Sequence, residues 1–176
     1  MLAIDVSGIH KCFPGVRALA GVDLDVRAGE IYALVGENGA GKSTLTNIIA
    51  GVQPADSGEI RLDGELVHWQ GPARAKAAGI HVIYQEFVLF PHMSVAETIF
   101  LGRMPRNRLR LIDHRLAERR AAEILARLGV LLDVRQRVSG LSVADQHVVE
   151  IAKAMIDTPK VLILDEPTAV VAGREV

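Results

Sequence analysis

An apolar run, a glycine-rich octet and a helix-forming segment follow one another between Ile31 and Ala50, and no other feature of the chain restricts its fold so tightly. Ile31-Tyr32-Ala33-Leu34-Val35 is apolar throughout, the pattern of a strand covered on both faces of a parallel sheet. Gly36-Glu37-Asn38-Gly39-Ala40-Gly41-Lys42-Ser43 then matches a phosphate-binding loop at every fixed position. Ser43 to Ala50 reads as a helix, stopped by Gly51 and Pro54. Glycines let backbone N–H groups turn inward toward phosphate oxygens with no Cβ in the way, and the helix that follows adds the positive end of its dipole. Lys42 is suited to reach β- and γ-phosphates and Ser43 to coordinate Mg²⁺. A plain Gly-rich turn before a helix would account for neither Lys42 nor Ser43.

The other elements fit a strand-rich start, a helical insert and a return to the sheet. Leu2 to Val6 and Val22 to Val26 read as strands, and Asp63-Gly64 between Ile60 and Val67 is a hairpin turn signal. Ile80 to Tyr84 is a further apolar strand. Ser94-Val95-Ala96-Glu97 is a capping box opening a short helix that Gly102 ends. Asp113 is placed to cap a second helix reaching Leu128. A third runs from about Ser142 to Met155, with Val148, Ile151, Ala152 and Met155 on its apolar face. Met104 to Arg110 is basic and Pro-containing, the composition of a solvated loop.

Composition narrows the function classes. The 176 residues carry 20 Lys+Arg against 21 Asp+Glu, a net charge of -1, which gives no electrostatic reason to expect nucleic-acid binding. Cys12 stands alone, so neither an internal disulfide nor a Cys-based zinc site is available, and a reducing compartment is expected. The histidines show no metal-ligand spacing. The start lacks the basic stretch and apolar core of a secretory signal, and nowhere do about 18 apolar residues run together. Membrane contact is therefore expected only through a partner.

A second element joins the phosphate loop. Val161-Leu162-Ile163-Leu164 reads as a buried strand delivering Asp165 and Glu166 to its C-terminal end, where parallel α/β sheets bind ligands. Asp165 is suited to hold Mg²⁺, directly or through water, and Glu166 to polarise an attacking water. Such a pair is weak evidence alone and strong beside a phosphate loop.

With these residues in order, the chain resembles the nucleotide-binding subunit of an ABC transporter. The landmarks are Phe13, the loop Gly36–Ser43, Gln85, Leu141-Ser142 and Asp165-Glu166, and together they span essentially the whole chain. Pro14-Gly15-Val16-Arg17-Ala18-Leu19, Ile83-Tyr84-Gln85-Glu86 and Ile99-Phe100-Leu101-Gly102 look like the monosaccharide-import branch. The resemblance implies an α/β P-loop NTPase with a mainly parallel core sheet, an N-terminal antiparallel β subdomain and a helical insert. The core and β subdomain would take about residues 1–85 and 160–176, the helical subdomain about 86–159. ATP would lie along Gly36, Glu37, Asn38, Gly39, Ala40, Gly41, Lys42, Ser43 and Thr44, with adenine stacked on Phe13, which is otherwise an ordinary core aromatic. Gln85 would sense Mg²⁺ and the attacking water. Leu141, Ser142, Val143, Ala144 and Asp145 would form the signature that contacts ATP held by an opposite subunit. The implied partners are transmembrane permease subunits, a second nucleotide-binding domain and, indirectly, a periplasmic or extracellular sugar-binding protein. The implied location is peripheral, on the cytoplasmic face of the cell membrane.

Two departures qualify the resemblance. Asp145 stands where similar importers carry Gln, setting a negative charge where phosphates would lie. After Glu166 only Pro167 to Val176 remain, and no histidine lies beyond His147, whereas relatives continue to a strand and a histidine that contacts the γ-phosphate. The chain is thus expected to be a partial first domain, with slow ATP turnover or none. Two other readings stand beside a sugar-import ATPase: an ATP-binding module without turnover, and a non-transport ABC protein.

Overall fold

A computed structural model describes residues 2–84 and 89–165. Contacts divide it into two units, one of Met1–Val82 with Pro159–Ile163, the other of Ile83–Thr158 with Leu164–Val176. Each has its own apolar core.

The first unit is built on a long hairpin. Strands β1 (Leu2–Phe13) and β2 (Val16–Arg27) pair antiparallel around the Pro14-Gly15 turn, and each is about twice the length the local pattern marks. On its other edge β1 pairs with β3 (Ser57–Leu62), which turns at Asp63-Gly64 into the short β4 (Glu65–Leu66). Both turn residues have positive φ, 52° and 84°, as the expected two-residue hairpin requires. The sheet order is β2-β1-β3-β4. A register shift between Val6 and Ile9, with Gly8 at φ 59°, changes which alternate residues point inward, from even-numbered to odd-numbered positions. Buried positions therefore pass from Ile4 and Val6 to Ile9, and one apolar face is kept along the strand. On that core lies α1 (Lys42–Ile49), which buries Leu45, Ile48 and Ile49.

Helix α2 (Pro72–Ala78) has Pro at its start and Gly79 in the left-handed region at its end. It leads into β5 (Ile80–Ile83), which pairs with β6 (Val161–Leu164). The bonds Val161 N–H to Gly79 O and Asp165 N–H to Ile83 O advance in the same direction on both chains, so this pair is parallel. The expected strand Ile31–Val35 does not form among the described residues, and Ile31 and Val35 are 99 % and 88 % exposed. A strand exists only through a paired neighbour, and no described segment lies in ladder with this run. For the same reason β6 is half-buried rather than buried, with Leu164 exposed.

In the second unit α3 (Val95–Ile99), α4 (His114–Arg127) and α5 (Val143–Met155) surround a core of Val95, Ile99, Ala121, Leu125 and Val149. Asp113 caps α4 by accepting the Leu116 N–H, as expected. The inward face of α5 centres on Val149 and Ala152, both fully buried; Val148 only flanks it. Of the expected face, Ala152 is buried as read, whereas Val149 and not Val148 is the buried valine, and Ile151 and Met155 are half-buried.

The capping box of α3 is complete. Ser94 Oγ accepts the Glu97 N–H at 3.2 Å, and Glu97 Oε2 accepts the Ser94 N–H at 2.9 Å. The Ser94 N–H bond holds the Glu97 carboxyl below its ordinary 4.5, against the burial that raises it. Because the folded value is the lower one, this stabilisation is complete above about pH 4.5 and is lost as pH falls through the folded value. Glu97→Gln should therefore flatten the acid limb of a melting-temperature profile, while Ser94→Ala should cost about 1 kcal/mol at neutral pH. Parallel acid limbs in Glu97→Gln and the parent chain would refute the assignment.

Candidate functional site

Two close approaches shape the glycine-rich loop. Gly41 has φ 92°, and a Cβ there would lie 2.5 Å from Ala18 O and 2.7 Å from Leu19 Cδ2, so the loop rests directly on β2. The loop's own turn is closed by the Ala40 N–H donating to Glu37 O at 3.1 Å. Helix α1 starts at Gly41 with no side-chain cap among the described residues and no acidic residue in its first turn. Its leading N–H groups and dipole therefore face outward uncompensated, as suits an anion. Lys42 Nζ curls back and donates to Gly36 O at 2.7 Å and Glu37 O at 2.9 Å. The ammonium thus sits in the loop, on weak neutral acceptors that a phosphate would outcompete. Ser43 is exposed on the same turn.

Phe13 lies at the end of β1, 41 % exposed, so the core-aromatic alternative fails on burial. The Lys11 ammonium stands 5.8 Å from its ring centroid. Lys11 is paired at 2.8 Å with Asp56, whose other oxygen accepts the Cys12 N–H at 2.7 Å. These two bonds, the Lys11 one first, hold the Asp56 carboxyl below its ordinary value. Sequence reasoning passed over Asp56. It lies 45 residues from Lys11, and locally Asp56-Ser57-Gly58 is only a polar entry to a strand.

In the other unit Asp165 directly follows β6, its N–H bonded to Ile83 O at 2.9 Å. The expected sites Gln85 and Glu166 lie outside the described residues. Ser142 caps α5, accepting the Asp145 N–H at 3.1 Å, and its hydroxyl proton is donated to Asp145 Oδ2 at 2.7 Å. Asp145 thus does more than add charge: it occupies the one proton Ser142 has to give. Leu141 is buried beneath the helix start and Val143 is exposed. Ala144 is half-buried.

A family model described as "ABC transporter" matches residues 19–169. Among curated relatives, a putative ribose/galactose/methyl galactoside import ATP-binding protein of Pseudomonas fluorescens is 53 % identical over 173 residues, 98 % of this chain and 34 % of that protein. A ribose import ATP-binding protein of Streptomyces coelicolor is 52 % identical over 168 residues, 96 % of this chain and 33 % of its own. The chain thus spans about a third of the length of these relatives. Among solved structures, a nucleotide-free ATP-binding cassette from an ABC transporter superposes with a TM-score of 0.82 at 28 % identity, covering 98 % of this chain and 72 % of that one. The ADP conformation of an ATP-binding cassette of an ABC transporter gives the same TM-score and identity, covering 97 % and 71 %. Both likenesses identify the fold as that of an ABC ATPase domain, a P-loop NTPase.

Proposed function

Because this chain belongs to the ABC transporter family, we propose that it binds Mg-ATP and belongs to an ATP-hydrolysing subunit that energises import of a sugar through a membrane partner. The observation that carries the reading is the loop itself: an uncapped helix start, held against β2 by Gly41, with the Lys42 ammonium already turned into it. In this reading the N–H groups along Gly36 to Thr44, apart from the Ala40 N–H already bonded to Glu37 O, and the Lys42 ammonium hold the β- and γ-phosphates, and Phe13 takes the adenine. Ser43 and Asp165 are each hard oxygen donors of the kind Mg²⁺ takes, and the family resemblance gives Gln85 the same role. When bound, Mg²⁺ neutralises charge on the phosphate oxygens. Glu166 orients and polarises the attacking water. Leu141 to Asp145 face nucleotide on a second nucleotide-binding domain. The partners would be transmembrane permease subunits and, through them, a periplasmic or extracellular sugar-binding protein. No described helix is long and apolar enough to cross a membrane, which is compatible with a peripheral place on the cytoplasmic face.

One observation favours a second reading, a nucleotide-binding module without turnover. A hydroxyl whose proton is given to Asp145 offers a facing γ-phosphate lone pairs in place of a donor. Calorimetry with Mg-ATP and phosphate release on the same sample separate the two. Saturable binding with phosphate release above the no-protein background, even if slow, fits the hydrolysing subunit. Binding with release at the no-protein background fits the module, and absence of binding overturns both.

A further inference from the structure

We propose that Asp56 is a positioning residue for the nucleobase: it fixes the end of β1 so that Phe13 turns one ring face to the base while Lys11 covers the other. This rests on the ATP-binding reading above, with Phe13 as the base platform.

Strand β1 stays paired with β2 through Phe13 opposite Val16, but it loses its β3 neighbour before it reaches Phe13. Its pairing with β3 ends at His10 opposite Ser57, and its register against β2 shifts between Ile9 and His10 and again between Lys11 and Cys12. Asp56, the residue just before β3, takes over where the ladder stops. Its N–H donates to His10 O at 2.9 Å, one carboxylate oxygen accepts Lys11 Nζ at 2.8 Å, and the other accepts the Cys12 N–H at 2.7 Å. Three consecutive residues ahead of Phe13 are thereby tied to one side chain and its own backbone.

The same clamp settles where the Lys11 charge lies. Its side chain is only 12 % exposed, and the ammonium is held within cation–π range of Phe13. One ring face is therefore covered by a cation and the remaining exposed surface is left for a planar partner. A ring presented in one orientation binds a flat ligand without first ordering the chain that carries it, which is the benefit of preorganisation. A residue that only tied the sheet together would affect every ligand of the unit alike. A base-positioning residue affects only ligands that have a base.

Calorimetry in Mg²⁺ with two probes, ATP and inorganic tripolyphosphate, makes that distinction on the 176-residue chain. Asp56→Ala should weaken ATP by about two- to tenfold, the range of a single aromatic contact, and leave tripolyphosphate unchanged. Asp56→Asn should fall between, because its amide oxygen still accepts the Cys12 N–H but forms no ion pair with Lys11. Equal losses for the two probes, or unchanged ATP affinity in Asp56→Ala while Phe13→Ala weakens it, would overturn the positioning role and leave the base platform standing. If Phe13→Ala itself leaves the ATP to tripolyphosphate ratio unchanged, the base platform fails and the inference fails with it. Should Asp56→Ala not fold, the same comparison on Asp56→Asn decides.

Discussion

Lys42→Ala is expected to weaken Mg-ATP binding by on the order of a hundredfold while leaving the melting temperature of the chain nearly unchanged. Hydrogen bonds to charged groups are worth about 1.5–3 kcal/mol, which is about tenfold to more than a hundredfold in affinity. The upper part of that range applies because the ammonium is already held over the loop by Gly36 O and Glu37 O, so little further ordering is needed to meet a phosphate. Folding is spared because both bonds are exposed and water can replace the lost donor. Calorimetry and a circular-dichroism melt on the same preparations check both halves. Unchanged affinity would remove Lys42 from the site, and a collapse in stability would mean that it props the loop rather than binds ligand.

Gly41→Ala should fail differently, losing stability and ATP together. An alanine must pay about 1–2 kcal/mol for the left-handed backbone. Its Cβ would also meet Ala18 O at 2.5 Å, a strand carbonyl that cannot swing aside like a side chain, and buried Leu19 at 2.7 Å. Relieving such overlap costs a further 1–3 kcal/mol or so. The total, about 2–5 kcal/mol, should show as an early denaturant midpoint, with ATP affinity falling because the loop must lift off β2. Gly39→Ala is the control: it has similar φ, 84°, but nothing within 4 Å of its Cβ, so it carries only the backbone strain. If the two alanine variants are equally stable, close approach to β2 is not what selects glycine at 41.

Features set by neighbouring residues were legible without a structure. The Asp63-Gly64 turn, the Ser94–Glu97 box and the Asp113 cap each depend on a few adjacent positions, and each formed as read. Helix α2 was missed although Pro72 and Gly79 bracket it, because its only buried residue is Ala75 and so small a face gives little periodic signal. On α5, Ala152 was read correctly, but Val149 was passed over for Val148 because both are apolar and only packing decides between them. Two features lay beyond local reading altogether. Apolarity marks Ile31–Val35 as a segment that needs covering but is silent on whether a neighbour is in place to pair it. Asp56 acquires its contacts only when β3 is laid beside β1, 45 residues away. Of the site, the phosphate loop was read from its own residues. The proposed base platform came from the family resemblance, and the exposure of Phe13 removes only the core-aromatic alternative.

The glycine-rich loop is attached unequally. Downstream it is welded to α1 and pressed on β2 at Gly41, whereas upstream Ile31 to Val35 stands outside any ladder among the described residues. Ligand grip and edge pairing therefore share one thermodynamic lever. Any strand that docks on Ile31–Val35 better when phosphate fills the loop must, by reciprocity, tighten phosphate in the same proportion. The exposed run Ile31–Val35 would in that case act on nucleotide affinity through the loop it leads into.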